Sequence, residues 1–162
     1  MPILLGILAF LVICGPLALN PKNHEWLFGG GDGTGHYLGW IFYKNSSWTF
    51  PIGLNPNYGI EINNSIVYSD LIPGIAILFK LLTQYHSSVF QYFGIWILFS
   101  FLMQAIGSWK LISLYTNNNL IKLLCSGLFV FSVPFLNILP DNPALSGQFL
   151  VCLLYTSPSP RD

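Results

Sequence analysis

The sequence predicts an all-α integral membrane protein, a multi-span helical bundle with about three full spans and the start of another. Of its 162 residues, 53% are hydrophobic and 7% are charged, whereas a soluble domain carries roughly 25% charged residues. A helix needs about 20 residues to cross a bilayer, and several apolar stretches come close to that length. The net charge of zero argues against nucleic acid as a partner, because that would require a basic face.

Four apolar stretches are predicted as spans. The first covers about residues 3–19 and lacks the positive start and small-residue cleavage site of a secretory signal, so a retained helix is favoured. The second covers 91–109. The third covers 120–139, where Pro134 predicts a kink. The last begins at about 144.

The segment 20–90 is predicted to be a long outer loop that carries interfacial helices. It holds most of the glycine, asparagine and proline, with Trp and Tyr scattered through it, and these two residue types favour the membrane–water interface. The stretch 71–82 is apolar but short for a span, which favours an interfacial or re-entrant segment. A second short interfacial helix is expected at 39–43. Prolines and glycines predict a run of turns at 50–59.

Two lysines give the orientation. Lys110 and Lys122 flank the connection between the second and third spans, and short loops rich in basic residues stay on the cytoplasmic side. The loop 20–90 and the turn at 140–142 then lie on the extracytoplasmic face. We therefore expect the protein in the cytoplasmic (inner) membrane, with membrane lipid as a partner.

The last residues, 152–162, read CLLYTSPSPRD, which is the translation of one frame of a common transposon-library sequencing adapter. We expect the natural coding sequence to run on from near Val151, so that residues 1–151 form the N-terminal part of a larger membrane domain. The competing interpretation is a natural tail rich in proline and serine.

The glycine-rich run GGGDGTGH, residues 29–36, is the densest chemical signal. A phosphate-binding P-loop requires Lys and Ser or Thr after its last glycine, but His36 follows Gly35 here, which excludes that motif. If a helix starts after Gly33, Asp32 and His36 share one face. This pair is a candidate site for a divalent cation, or for a base and its partner. Alternatively, Asp32 only caps the helix and His36 is a solvated surface residue.

Two further acids lie in turns on the same predicted face. Asp141 follows the third span in LPDNPAL, and Asp70 precedes an apolar stretch in YSDLIPG. Both positions are also ordinary for turns and helix caps. If the fold brings Asp141 close to Asp32, the pair would be stronger evidence for a functional site than either carboxylate alone.

Four motifs resemble a bacterial membrane family of unassigned function, the domain of unknown function 6311. The resemblance covers residues 29–151. The motifs are Gly-Asp…His-x-x-Gly-Trp at 31–40, Trp-x-Phe-Pro-x-Gly-x-Asn-Pro-x-Tyr-Gly at 48–59, Ser-Ile-Val-Tyr-x-Asp-x-Ile-Pro at 65–73 and Phe-Gln-Tyr-Phe-Gly at 90–94.

The layout of that family is similar to the C-type glycosyltransferases, membrane enzymes that use polyprenyl-phosphate sugars. The resemblance implies that Asp32 is the first catalytic carboxylate and Asp141 the second. Asp32 would act as general base, or with His36 as ligand to a divalent cation that grips the lipid phosphate. No second acid adjoins Asp32, so the Asp-Glu pair of some of those enzymes is absent.

The same resemblance suggests further substrate-binding residues. Lys44 and Lys80 are candidates to hold the donor phosphate, and His36 and Asp70 are candidates for substrate contacts.

Two functions follow from these observations. The first is transfer of a sugar from a polyprenyl phosphate at the extracytoplasmic face. The second is a non-enzymatic role as a transporter, flippase or envelope-assembly component. A transporter is expected to carry ionisable groups within its spans, and here only lysines at the span ends are charged, which favours surface chemistry.

Overall fold

In a computed structural model, the chain is mostly helical. The structure describes residues 1–29, 31–59, 64–83, 89–139 and 141–156. The α-helices in these ranges are α1 (Pro2–Ile13), α2 (Gly33–Asn45), α3 (Pro73–Thr83), α4 (Phe93–Ser113), α5 (Asn119–Val130), α6 (Val133–Ile138) and α7 (Phe149–Thr156). Short 3-10 turns lie at Pro16–Leu19, Glu25–Phe28 and Pro143–Ser146. Strands β1 (Leu54–Asn55) and β2 (Asn64–Ser65) pair antiparallel.

Helix α4 is the centre of the bundle and packs against α1, α5 and α7. Its apolar side chains, with those of α1 and α6, form one core. Phe101 makes edge-to-face contacts with Phe10 and Phe135, at ring-centroid distances of 6.0 and 5.0 Å, an arrangement that aromatic rings prefer over face-to-face stacking. This core places the N-terminal end of α4 beneath the polar loop.

Two helical stretches are long and apolar enough to cross a membrane, Phe93–Ser113 and Asn119–Ile138. They lie where the second and third spans were predicted. The second stretch is interrupted after Val130, and α6 resumes with Pro134 in its first turn, where a missing N–H costs nothing. The predicted kink is therefore present as a break between α5 and α6.

In the first predicted span, the helix is shorter than the apolar stretch of sequence. Helix α1 ends at Ile13, and Gly15 takes a φ of 72° before Pro16 opens a 3-10 turn. A proline disfavours helical geometry in the residue before it, and only glycine adopts a positive φ without strain. A continuous helix over 3–19 was therefore a wrong prediction.

The loop 20–90 folds into a second, aromatic cluster beside the bundle. Trp40, Tyr43, Tyr92 and Phe93 are fully buried in it. The short helix expected at 39–43 is part of the longer α2, and the helix expected at 71–82 is α3. Turns occupy most of residues 50–59 around β1, as predicted, and the Phe50–Pro51 peptide is cis.

Helix α7 follows the 3-10 turn at Pro143–Ser146, close to the predicted start of the last span. It runs through Val151 without interruption and ends at Thr156. Cys152 is buried against α4, where a Cβ at Gly107 would lie 3.1 Å from its Cβ.

Candidate functional site

A polar cleft of about 370 Å³ lies between the N-terminal end of α2 and the turns that precede α3. Asp32, His36 and Asp70, three residues predicted from the sequence, contribute to its wall. Asp32 is the N-cap residue of α2, but its side chain makes no capping hydrogen bond. Its carboxylate therefore remains free to face a ligand. The lining residues are Asp32, Gly35, His36, Tyr58, Tyr68, Ser69 and Asp70.

His36 is buried in the wall of this cleft, with 5% of its surface exposed. Its Nδ1 lies 2.9 Å from the backbone oxygen of Ser69. Because a carbonyl oxygen only accepts, Nδ1 of the neutral ring carries the proton and Nε2 keeps a lone pair. Nε2 is buried and has no hydrogen-bond partner among the described residues. The interpretation of His36 as a solvated surface residue is therefore wrong.

The turn before α3 has an unusual backbone. Asp70 and Ile72 take φ values of 48° and 54°, and a β-branched residue rarely adopts such a conformation, which costs about 1–3 kcal/mol. The Tyr92 hydroxyl holds the turn by donating to the backbone oxygen of Leu71. Because α3 begins only at Pro73, Asp70 does not cap it. Asp70 lines the cleft instead.

Helix α2 makes close contact with this turn through Gly39. A Cβ at Gly39 would lie 2.9 Å from the Cβ of Ser69. The backbone oxygen of Gly39 accepts a hydrogen bond from Asn55 Nδ2 at 2.9 Å, and Trp40 Nε1 donates to the oxygen of Phe90 at 2.7 Å. The residues of the His-x-x-Gly-Trp motif thus fasten three distant segments to one helix.

Asp141 reaches the same neighbourhood from the turn after α6. Its Oδ1 lies 2.1 Å from the position that a Cβ at Gly31 would occupy. Gly31 also has a φ of 66°, so both its conformation and its contact require glycine. Since Asp32 is the next residue, the structure brings the Asp141 carboxylate against the residue that precedes Asp32.

Helix α4 holds the Asp141 turn in place. Trp96 Nε1 donates to the backbone oxygen of Pro143 at 2.7 Å. The hydroxyls of Ser100 and Ser146 lie 2.9 Å apart and share a hydrogen bond. These bonds fix the backbone on the C-terminal side of Asp141.

The predicted phosphate-binding lysines lie elsewhere. Lys80 is 1% exposed and donates to the Ser46 hydroxyl at 3.0 Å, with its Nζ 4.1 Å from the centre of the Tyr43 ring. Burial lowers the pKa of Lys80 to about 8, and it also lowers the pKa of Lys44. Lys44 is near the C-terminal end of α2, about 16 Å along the helix from Gly33. The structure does not bring either lysine to the cleft.

Metal binding has two candidate ligands here. A histidine that donates Nδ1–H to a backbone carbonyl is oriented for metal binding through Nε2, so His36 fits that role, and Asp32 adds a carboxylate. In the described part of the chain, no three or more His, Cys, Asp or Glu residues group as a metal site. A cation would therefore need ligands from substrate and water.

The motifs that resembled a known family build this cleft: they supply Asp32 and His36, Tyr58, the turn with Asp70, and the Phe90 oxygen that holds Trp40. The sequence profile described as Domain of unknown function (DUF6311) matches residues 3–161. The chain belongs to the DUF6311 family. No curated protein and no solved structure gives a significant match to it.

Sequence reasoning missed several residues of the DUF6311 cleft. Ser69 is 33 residues from His36 in the chain, and no local pattern indicates that they pair. Tyr58 and Tyr68 lie in the matched motifs, but no role in a site was predicted for them. Gly31 lies in the glycine-rich run, but no local pattern indicates that the Asp141 carboxylate packs against it.

An apolar cavity of about 310 Å³ lies in the bundle core of this DUF6311 chain. Trp26, which comes just before the glycine-rich run, forms part of its wall, and Trp26 Nε1 is buried without a hydrogen-bond partner among the described residues. The cavity is lined by Ile13, Cys14, Ala18, Trp26, Ile97, Leu136 and Leu139.

Proposed function

We propose that this DUF6311 protein is a membrane glycosyltransferase that takes a sugar from a polyprenyl-phosphate donor at the extracytoplasmic face of the inner membrane. The observation that carries this proposal is the packing of the Asp141 carboxylate on Gly31, beside Asp32 and the polar cleft. Two carboxylates from segments more than a hundred residues apart thereby serve one site.

The surface of the helices supports a location in the membrane. Only 17% of the residues in the most apolar window of Asn119–Ile138 are buried within the protein. The central helix of a soluble domain would be mostly covered, because exposed apolar area of this extent favours association or lipid contact. We expect lipid to contact the exposed apolar surface of this stretch. Lys110 and Lys122 then favour an outer location of the polar loop by the positive-inside rule.

The proposed reaction is a substitution at the anomeric carbon of the donor sugar. The acceptor hydroxyl oxygen forms a bond to that carbon, and the bond from the carbon to the phosphate oxygen breaks. The electron pair of the broken bond leaves with the lipid phosphate. Asp32 takes the proton of the acceptor hydroxyl as general base, and Asp141 supplies the second carboxylate to the reacting groups.

The donor lipid has a fitting place in the fold. The apolar cavity beside Trp26 is of the right chemistry for part of a polyprenyl chain. Its phosphate needs positive charge, yet Lys and Arg are absent from the lining of the polar cleft in the described part of the chain. A divalent cation held at Asp32 would supply that charge when bound.

The proposal predicts loss of transfer when Asp32 is neutralised. Asp32→Asn, in the membrane-embedded protein, is expected to lower the transfer of labelled sugar from a polyprenyl phosphate by about 10²–10⁴-fold, which is the usual contribution of a general base. Glu25→Gln is the matched control, because Glu25 is an exposed acid in the same loop outside the cleft. Both variants should reach the membrane in equal amounts. Full transfer by Asp32→Asn would remove the catalytic assignment.

A transporter, flippase or envelope-assembly component is the second candidate. Gln104 Oε1 on α4 and Ser126 Oγ on α5 are buried without hydrogen-bond partners among the described residues, and polar groups within spans often mark a transport path. The charged residues of the two long apolar stretches, Lys110 and Lys122, lie near their ends. A transporter would keep its flux in Asp32→Asn and lose it in Gln104→Leu, the reverse of what the first proposal requires.

A further inference from the structure

The polar cleft contains hydrogen-bonding groups that the protein itself leaves unsatisfied. Nε2 of His36 and Oγ of Ser69 are both buried without partners among the described residues, and both side chains are more than nine-tenths buried. A buried polar atom without a partner costs about 1–3 kcal/mol. Both residues line the same cleft, so a ligand in the cleft would lie beside both side chains.

The chemistry of these two groups restricts the ligand. In the neutral form of the His36 ring, the proton is on Nδ1 for the Ser69 carbonyl, and Nε2 then accepts. The hydroxyl of Ser69 can donate or accept. A ligand that fits must therefore offer at least one donor, and hydroxyl groups offer a donor and an acceptor together.

The charge of the cleft argues against an anion. Asp32 and Asp70 are both exposed at its wall, and the lining residues in the described part of the chain include neither lysine nor arginine. A phosphate placed here without a cation would face two carboxylates. Ionised carboxylates only accept hydrogen bonds, so they too call for a ligand that donates.

Two tyrosines add an apolar surface. Tyr58 and Tyr68 line the cleft, and Tyr68 is 82% exposed. An aromatic ring pairs an apolar face with a polar hydroxyl, which suits the carbon–hydrogen face of a sugar ring and its hydroxyls. The volume of about 370 Å³ is within the range of small-molecule sites.

We infer that this cleft binds an uncharged sugar through its hydroxyl groups, with His36 Nε2 and Ser69 Oγ as hydrogen-bond partners and Tyr68 as a stacking surface. Naming that sugar as the acceptor in transfer rests on the proposed function, whereas binding itself does not. The donor phosphate then lies outside the cleft.

The test measures binding of methyl α-glucoside and methyl α-mannoside to the full chain by saturation-transfer NMR. The protein is held in phospholipid nanodiscs, because maltoside detergents share the chemistry of the probe. Tyr68→Ala and Ser69→Ala are expected to weaken binding by about three- to tenfold each, the equivalent of one hydrogen bond or ring contact. Ser69→Ala keeps the backbone oxygen that His36 needs. Tyr115→Ala, an equally exposed tyrosine at 81% in the connection after α4, should bind like the wild type.

Three results would overturn the inference: no glycoside binding, binding that neither Tyr68→Ala nor Ser69→Ala weakens, or binding of inorganic phosphate that Tyr68→Ala weakens. The test is separate from that of the proposed function. If the protein binds glycosides and Asp32→Asn keeps full transfer, only the catalytic proposal is contradicted. If the protein does not bind glycosides but transfer depends on Asp32, only the sugar site is contradicted.

Discussion

The contact between Gly31 and Asp141 is the residue-scale feature on which the site depends. A side chain at position 31 would overlap the Asp141 carboxylate, and the φ of 66° there already disfavours any residue with a Cβ. Gly35 of the same run is under no such constraint. Gly35 lies within α2, and a Cβ there would meet no other atom within 4 Å.

The first prediction compares these two glycines. Gly31→Ala should destabilise the protein by about 2–4 kcal/mol, from the left-handed backbone and the displaced carboxylate together. Gly35→Ala should be neutral or stabilising by up to about 1 kcal/mol, since alanine favours a helix over glycine. Thermal unfolding in nanodiscs measures both.

A double variant separates the two costs of Gly31→Ala. Adding Asp141→Ala removes the overlap but not the backbone strain, so part of the lost stability should return. The two substitutions would then be non-additive, as expected for residues in contact. Strict additivity would contradict the contact.

A second residue-scale prediction concerns Lys80. Burial lowers its pKa in the folded protein from 10.5 to about 8, so between these pH values the unfolded chain binds more protons at this position. Stability then rises with pH through this window, and the penalty is fully present below pH 8. Lys80→Met should lack this contribution, while exposed Lys22→Met should keep it. A wild-type to Lys80→Met difference in unfolding temperature that stays constant from pH 8 to 10.5 would contradict the assignment.

At the scale of elements, the N-terminal end of α4 organises the site. Gln91 Nε2 donates to the oxygens of Ala18 and Asn20, and Gln91 Oε1 accepts from the backbone N–H of Gly94. Tyr92, the N-cap residue of α4, holds the Asp70 turn, and Trp96 in the first turn of the helix holds the Asp141 turn. Three loop segments therefore take their positions from one helix end.

This arrangement predicts a strict requirement at Gly94. A Cβ there would lie 1.8 Å from the backbone oxygen of Ala18, so Gly94→Ala must push the 3-10 turn off α4, at a cost of about 1–3 kcal/mol. Gly127→Ala on α5 is the control, because nothing lies within 4 Å of its Cβ position. Equal unfolding temperatures for the two variants would argue against the close approach.

Elements were predictable where the local signal is strong. Helix α4 and the break before α6 follow from a long apolar run and from Pro134, which are properties of the chain itself. The length of α2 did not follow, because its propensity is weak and its burial comes from partners such as Ser69 and Asn55 in other segments. The sequence likewise indicated Asp32, His36 and Asp141 by residue type, whereas the pairing of His36 with Ser69 depends on a long-range turn.

At the scale of the whole molecule, the proposed orientation makes a labelling prediction. In a variant without Cys14, Cys125 and Cys152, the substitution Tyr68→Cys should react with a membrane-impermeant maleimide in intact cells. Tyr115→Cys, in the connection after α4, should react only after the membrane is permeabilised. The two positions are matched, because both tyrosines are more than 80% exposed. The opposite labelling pattern would invert the topology and remove the extracytoplasmic site.

The most direct test of the account asks whether residues 31 and 141 meet. The Cβ position of Gly31 lies 3.1 Å from Asp141 Cβ, near the about 3.5–4.5 Å of disulfide bonds. In a background without native cysteines, and with a protease site between α4 and α5, Gly31→Cys with Asp141→Cys should form a disulfide in membranes. The halves should then stay together on a non-reducing gel after cleavage, whereas Gly35→Cys with Asp141→Cys should separate. Separation of the first pair, with both of its cysteines still reactive to maleimide, would contradict the convergence on which the proposed site rests.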